Sequence, residues 1–515
     1  MPRPDAHTVL ALFLLVTGVR AAEDTPAPAD STHSTGSGQA GSPPATPPGL
    51  TLDECVAQAL EKNFNVRIQK FSTEQAKDSV IIAQAGYDPT LSLNAQKSET
   101  LNAALTNPTT GAVAGGLYAN DDTSMLSVSQ KIVTGGTISA NSDLDRTREV
   151  PASEWVNPAY TSDVSLSLTQ PLLQGAGIDY NLAAIRRAKL GAKIADLNFK
   201  STVLTVIFNV ETAYFNLIFA REQYKVQEDS LRLAQDLYDE NVVKRQTGVL
   251  TDLDVLQAQV GVATARSQLI LDEQTVHNDE DVLLQSLSQR NFSGQVGPVD
   301  FPVMANNPEV SFDLSYKLAR DDGPDLAIVQ ATIEQFKLDA LTTRRDTLPE
   351  LDVNGAIGYN SLGQSYSGAF DQAWSNHGHS WQAGLTLTFP LGMRANRALY
   401  RQALASQHSE ETVLDQTDEN LVVQVRSAVR AVQTGIESVQ ASTDTATLSE
   451  QQYELEKAKF DAGLVTSLDV LQEQNALLTA RVAEIQAKVN LRTAIANLHF
   501  LEGSSLQLYH VNLVE

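Results

Sequence analysis

Apolar positions along this chain repeat with two different periods. From Asn181 to Thr247, and again from Arg394 to Asp461, there is no Pro, and apolar residues recur at spacings of three and four, as in Ala213, Leu217, Ala220 and Tyr224. That spacing predicts helix. At the helical rise each run extends roughly 100 Å, more than a compact domain can use, so coiled-coil or barrel packing is implied. A second long helical stretch begins at Thr251 and at Thr466. Gly248 and Gly463 stand where each long helix must stop, and glycine tolerates the left-handed conformation that ends a helix. The pattern predicts two long helical hairpins with their tips at these glycines.

Elsewhere the period falls to two. Val164, Leu166 and Leu168 alternate with Asp163, Ser165 and Ser167, and Leu385, Leu387 and Phe389 alternate with Gly384, Thr386 and Thr388. Leu91/Leu93, Leu126/Val128 and Ile138/Ala140 give further candidates. Six strands are predicted, near residues 90 to 100, 122 to 132, 137 to 146, 162 to 170, 351 to 360 and 380 to 389. Gly135-Gly136 suits a two-residue hairpin turn, whereas the connections at 101 to 121 and 147 to 161 are long. Long loops on one side and a short turn on the other match an outer-membrane barrel. A soluble sheet with one wet face shows the same alternation. Four to six strands cannot close a membrane barrel alone, since the series begins at about eight and open edges are not tolerated in lipid. Several protomers must then share one barrel; a trimer gives about 12 strands from four each or about 18 from six each.

The chain is also duplicated. TGVLTDLDVLQAQVGVATAR (Thr247 to Arg266) returns as AGLVTSLDVLQEQNALLTAR (Ala462 to Arg481). Leu168-Thr169-Gln170-Pro171-Leu172 echoes Leu387-Thr388-Phe389-Pro390-Leu391, and Asp88-Pro89-Thr90-Leu91 echoes Leu348-Pro349-Glu350-Leu351. Each copy reads as helix, strands, long helix, sharp turn, helix, and the first copy carries an insertion between its proline anchors. The expected organisation is a first repeat at 50–290, a linker at 291–310, a second repeat at 311–502 and a tail at 503–515. Ahead of these, Arg3 precedes a short apolar run from Val9 to Val16, and Val19-Arg20-Ala21 offers a cleavage site, so 1–21 reads as a secretory signal peptide. The Pro, Ala, Ser, Thr and Gly of 22–49 cannot bury a core and read as a disordered tether.

Composition narrows the function. With 37 Lys+Arg against 62 Asp+Glu the net charge is −25, which removes the basic surface nucleic-acid binding depends on. The single Cys, Cys55, makes no intrachain disulfide and completes no zinc site; it reads as a small helix-face residue. Past residue 21 no run of 18 or more apolar residues occurs, so a membrane role would use strands. His377-Gly378-His379 lacks a third ligand, so no metal or other cofactor is expected. No Gly-x-Ser-x-Gly elbow, phosphate loop or His-Glu-x-x-His motif is present, and an enzyme is not expected.

The duplicated Gly-x-x-Thr-x-Leu-Asp-Val-Leu-Gln tip, the strand ending in Pro-Leu before each long helix, and the opening Leu50-Thr51-Leu52 with Ala57, Ala59, Leu60 and Asn63 resemble the TolC-like outer-membrane efflux protein family, the outer-membrane factors of tripartite efflux and type I secretion. The resemblance covers about residues 50 to 502. It implies a homotrimer: a mainly α protein whose periplasmic α-helical barrel is continuous with a shared β-barrel in outer-membrane lipid. It also implies a periplasmic adaptor (membrane fusion) protein and an inner-membrane pump as partners. The function implied is a passive export conduit for small molecules or secreted substrates. The rival is a non-conducting coiled-coil stalk, periplasmic or on the surface, built on the same helices.

The resemblance further places Asp469 at the periplasmic entrance, with Gln472 on the same helical face where better-known members carry a second acid. Asp254 and Gln257 are the equivalent positions in the first repeat. Asp469 has a blander explanation as a solvated helix-face acid. A Tyr and an Arg that latch the entrance in those members are replaced by Phe460 and Val465, neither of which makes a charge-assisted bond. Lys244 and Lys459, equivalent in the repeat, are candidates to substitute by pairing with Asp254, or are ordinary exposed lysines. The tips Gly248-Val249-Leu250-Thr251 and Gly463-Leu464-Val465-Thr466 expose apolar residues where polar ones are usual, and are the expected adaptor contact; packing between neighbouring hairpins is the alternative.

Overall fold

The computed structural model describes residues 50–111, 113–114, 116, 118–150, 155–288, 310–375 and 378–511. The expected signal peptide, the tether and nearly all of the inter-repeat linker lie outside the described residues.

The first half contains α1 (Leu52–Lys62), α2 (Phe64–Ala85), β1 (Thr90–Leu101), β2 (Leu105–Thr106), β3 (Val113–Ala114), β4 (Tyr118–Lys131), β5 (Thr137–Val150), β6 (Ala159–Pro171), α3 (Ile178–Asn181), α4 (Ala183–Gln246) and α5 (Asp252–Ser286). The second contains α6 (Phe312–Asp322), α7 (Pro324–Arg345), β7 (Glu350–Gly363), α8 (Tyr366–Ser375), β8 (Gly378–Thr388), α9 (Arg394–Asp461), α10 (Ser467–Glu502) and α11 (Ser505–Leu508). The duplication is visible in helix lengths. α1 and α6 are both 11 residues, α2 and α7 both 22, and α5 and α10 are 35 and 36. Each repeat opens with two helices rather than the single one expected. In the first copy the break falls at Asn63, whose side chain accepts from Asn65 N at 2.8 Å and donates to Ser286 O at 3.0 Å. In the second it falls at Gly323, followed by Pro324 at the first turn of α7.

α4 pairs with α5 and α9 with α10, giving the two long hairpins, and α10 also packs along α4. α4 has 64 residues and α9 has 68. The centre of α4 is apolar enough by composition to cross a bilayer, but it is a core helix. Val203, Leu204, Ile207, Val210, Tyr214 and Leu217 are buried against Cys55, Val56 and Ala59 of α1 and Leu283 and Leu287 at the end of α5. Burial pushes the Cys55 thiol up to about 12, so it stays an inert packing group. The C-terminal segment closes over the same core: Leu506, Tyr509 and Val511 pack on it, and the Tyr509 hydroxyl donates to Glu211 Oε1 at 2.6 Å.

Six strands form one antiparallel sheet in the order β1-β4-β5-β6-β7-β8, and β2-β3 make a separate two-stranded ribbon. The six match the predicted segments, and the insertion in the first repeat supplies the extra strand pair. Register sorts the two faces. One cross-strand row reads Leu91, Val128, Ala140, Leu166, Ile357, Trp381, and the adjacent row on the other face reads Ser92, Ser127, Asn141, Ser165, Gly358, Ser380. Leu91, Leu166, Ile357, Trp381, Leu385 and Leu387 are all exposed. A sheet that points its apolar face outward and its polar face inward is the pattern of a lipid-facing barrel wall.

The Gly135-Gly136 turn differs from expectation. β4 ends at Lys131 and β5 begins at Thr137, so the connection is Ile132 to Gly136, closed by Ile132 N to Gly136 O at 2.8 Å and Gly135 N to Ile132 O at 2.9 Å. The glycine is needed for another reason. Gly135 has φ +99, and a Cβ there would stand 2.3 Å from Gly175 O and 2.6 Å from Asn181 Nδ2, so this turn is pressed against the chain that leads from the sheet into α4.

Candidate functional site

The tips of the two hairpins are built from the same short motif. α4 ends at Gln246, and Gly248 takes φ +79 while its N–H reaches Arg245 O and that of Val249 reaches Lys244 O, both at 2.9 Å. In the second hairpin Gly463 takes φ +74, its N–H reaching Phe460 O at 3.0 Å and that of Leu464 reaching Lys459 O at 2.9 Å. These bonds satisfy the last carbonyls of each long helix. Three residues on, the next helix is started by a capping box. Thr251 N donates to Asp254 Oδ2 at 2.9 Å, and Asp254 N donates back to Thr251 Oγ1 at 3.4 Å. Thr466 N and Thr466 Oγ1 donate to Asp469 Oδ2 at 2.9 and 2.7 Å. The bonds from Thr251 hold the Asp254 carboxyl below its ordinary range, and those from Thr466 do the same for Asp469.

The repeated Gly-x-x-Thr-x-Leu-Asp run is therefore a stop signal, a cap and an N3 acid in sequence. The Thr-x-x-Asp spacing carries that meaning by itself and was open to a reading from sequence. Asp254 and Asp469 have a structural duty at the tip whatever they do for the channel.

The candidate tip residues separate into two sets. Val249 and Leu464 are exposed, at 68% and 75%. Leu250 and Val465 are not the free apolar residues expected: both pack against a small core of Leu237, Tyr453, Phe460, Val470 and Leu477 that joins the hairpins. Gly248, Thr251, Gly463 and Thr466 are exposed backbone-directing positions.

Lys244 also departs from expectation. It does not pair with Asp254; its ammonium is 2.6 Å from Glu240 and 3.6 Å from Asp461, lies 3.8 Å over the Phe460 ring, and donates to Phe460 O at 3.4 Å. Phe460 is 3% exposed, so this cation–π contact is shielded. Lys459 pairs within its own helix with Glu456 at 2.8 Å. The two carboxylates were already engaged by their capping threonines, which left the lysines to other acids. Asp254 gains one more partner, the Ser467 hydroxyl, at 3.4 Å across the seam between α5 and α10. Gln257 is half-buried one turn further along α5, and Gln472 is exposed one turn beyond Asp469.

Among the described residues no group of three or more His, Cys, Asp or Glu is placed to hold a metal ion. His377 lies outside the described residues, and His379 is on β8, opposite Tyr359 on the apolar face.

Solved structures share this architecture. The Campylobacter jejuni CmeC outer membrane channel superposes with a TM-score of 0.66 at 19% identity, covering 90% of each chain, and the outer-membrane channel OprN with 0.67 at 16% identity, covering 88% of this chain and 89% of that one. In sequence, the alkaline protease secretion protein AprF of Pseudomonas aeruginosa is 24% identical over 69% of this chain and 73% of its own length. Outer membrane protein TolC of Escherichia coli is 23% identical over 65% and 68%. Residues 146–289 and 315–504 match the family described as outer membrane efflux protein, taking in both long hairpins and the strands that lead into them; the chain belongs to the outer membrane efflux protein family.

Proposed function

We propose that three copies of this chain close into one passive conduit across the outer membrane, with the long hairpins forming a helical tunnel in the periplasm. The observation that carries the reading is the six-stranded sheet with an apolar outer face, whose two edges, β1 and β8, are unpaired among the described residues. Unpaired strand edges are not tolerated in lipid, and six strands fall short of the smallest membrane barrel. Pairing β1 of one copy with β8 of the next removes both edges of the six-stranded sheet, and three copies give about 18 strands. The same apolar face weighs against the non-conducting stalk, which has no use for it.

On this reading the tips meet a periplasmic adaptor, with Val249 and Leu464 as the apolar contacts, and an inner-membrane pump delivers cargo into the tunnel. Asp469 and Gln472 face the narrowed entrance, with Asp254 and Gln257 at the seam beside it. The two repeats fold as 50–290 and 311–502, joined by 291–310, behind a cleaved signal at 1–21 and a tether at 22–49. The relatives' names speak of alkaline protease secretion and pyoverdine export; this chain's cargo is of the same general kind, small molecules or secreted protein delivered for passive exit.

The reading is tested with cysteines placed on β1 and β8. The one native thiol, Cys55, is fully buried and does not compete. Oxidation should link chains into trimers, and the purified trimer should conduct ions in a planar bilayer. Crosslinked dimers only, or no conductance even after the tips are loosened by mutation, would overturn it.

A further inference from the structure

α8 lies in the connection between β7 and β8 and packs flat on the apolar face of the sheet, over β5, β6 and β7. Its seat is made of small residues. Ser162 is fully covered, a Cβ on Gly363 would stand 2.6 Å from Ala369 N, and the Ser361 hydroxyl donates to Ala369 O. Ala369 and Ala373, 0% and 1% exposed, face this seat. The spacing of four in Tyr366, Phe370 and Trp374 sets a second stripe along the flank of the helix. Tyr366 meets Tyr160 edge-on at 4.7 Å, and Phe370 meets Trp374 at 6.5 Å. Phe370 and Trp374 nonetheless stay 41% and 60% exposed. Ser367, Asp371 and Ser375 occupy the far side.

We propose that α8 is an interfacial anchor: a helix lying in the plane of the outer leaflet at headgroup level, with Phe370 and Trp374 set into the boundary between headgroups and acyl chains. Register fixes its height. The row holding Tyr160 and Gly363 continues through Arg146 and Asp122 to Lys97, where Asp122 pairs with Lys97 at 2.9 Å and Arg146 at 2.8 Å. Counting only rows on this face, the second one toward the helices holds Tyr359 and the third holds Leu166, Ile357 and Trp381. α8 therefore sits where the apolar band gives way to an ion-paired rim, the level at which amphipathic helices and aromatic side chains partition. A second copy of the chain pairs at the edges β1 and β8, and α8 covers the middle strands, so lipid rather than a neighbouring wall meets Phe370 and Trp374.

The inference rests on the sheet being a lipid-facing wall, and the test separates the two. The chain has three Trp: Trp155, Trp374 and Trp381. Full-length variants retaining only Trp374 (W155F/W381F) or only Trp381 (W155F/W374F) are reconstituted into phosphatidylcholine vesicles with bromines at shallow or deep acyl positions. Trp374 emission should be lost to shallow bromines more than to deep ones, and should resist aqueous iodide. Trp381 should be quenched by both bromolipids. If Trp381 is quenched and Trp374 instead responds to iodide, the anchor is wrong while the barrel wall stands. Protection of Trp374 from both quenchers would mean a protein partner covers it, which also overturns the proposal. If neither Trp responds to bromolipid, the wall itself is refuted and the anchor falls with it.

Discussion

The Ser467 hydroxyl donates to Asp254 Oδ1 at 3.4 Å, joining the start of α10 to the start of α5 across the seam between the two hairpins of one chain. It lies close to the small core against which Leu250 and Val465 pack, and Lys244 makes other polar links between the hairpins, to Asp461 and to Phe460 O. Ser467→Asp sets a second carboxylate against Asp254 in place of a donor. Like charges at hydrogen-bonding distance repel, so this variant should part the tips and raise single-channel conductance at neutral pH, with the increase shrinking as salt screens the pair. Unchanged conductance at low salt would show that this seam does not set the aperture.

The capping boxes predict a local and pH-dependent stability at the tips. Thr251→Ala removes the cap oxygen at the start of α5 and should cost about 1 kcal/mol there, seen as faster amide exchange over residues 252 to 256 with the rest of α5 unchanged. Asp254 and Asp469 are both held below the ordinary aspartate value of 3.8. A depressed carboxylate contributes stability that is complete above its unfolded value and lost as pH falls through the folded one. Tip protection should thus be flat from neutral pH down to about the ordinary 3.8 and fall only below it. A loss beginning near pH 6 would assign the dependence to another group.

The helices and strands were legible because their periods are long and uninterrupted: α9 runs from Arg394 to Asp461 as the Pro-free pattern predicts, and all six sheet strands fall on alternating segments. What escaped was set by packing between distant parts. Gly135 reads as a hairpin turn in sequence, yet its conformation serves the passage of Gly175 and Asn181. Leu250 reads as exposed because it follows a turn, and only the core that α4, α9 and α10 form together covers it. Lys244 had several acids within reach on two helices, and the spacing along one helix could not choose among them. α8 is not legible in the sequence because ten residues of mixed aromatic and polar character carry no long period.

Adaptor contact is expected at Val249 and Leu464. Val249→Asp or Leu464→Asp should abolish crosslinking to the adaptor and leave the trimer intact, since neither side chain is part of the tip core. Leu250→Asp and Val465→Asp put a charge against that core and should loosen the hairpins themselves, at a cost of about 1–3 kcal/mol. The two pairs therefore fail differently, in partner capture for the first and in tip protection from proteolysis for the second. Loss of the trimer with Val249→Asp would point to packing between protomers instead.

Glu211 is 4% exposed, and one of its oxygens has no partner among the described residues, while the other accepts from Tyr509. Burial raises its carboxyl above the ordinary 4.5, and the bond from Tyr509 opposes this only in part. A raised acid binds its proton better in the folded state, so it weakens stability as pH climbs from 4.5 through the folded value. Glu211→Gln keeps an acceptor for Tyr509 and removes the charge. The variant should gain thermal stability at pH 8 and little at pH 4; an equal shift at both would exclude ionisation as the cause.

The entrance assignment is tested by separating the charge of Asp469 from its cap. Asp469→Asn retains an oxygen to accept from Thr466 N and Thr466 Oγ1, which now donate at 2.9 and 2.7 Å, and removes only the negative charge. If three copies of Asp469 converge at the constriction, the trimer should lose cation preference and divalent block together, because a narrow ring of carboxylates attracts and detains cations. Gln472 lies one turn further along the same face, so Gln472→Glu adds a second ring and should strengthen the block beyond that of the unmodified channel. The double variant, with Asn at 469 and Glu at 472, should fall between. Conductance and selectivity unaltered in Asp469→Asn, with α10 still capped by amide exchange, would confine Asp469 to starting its helix.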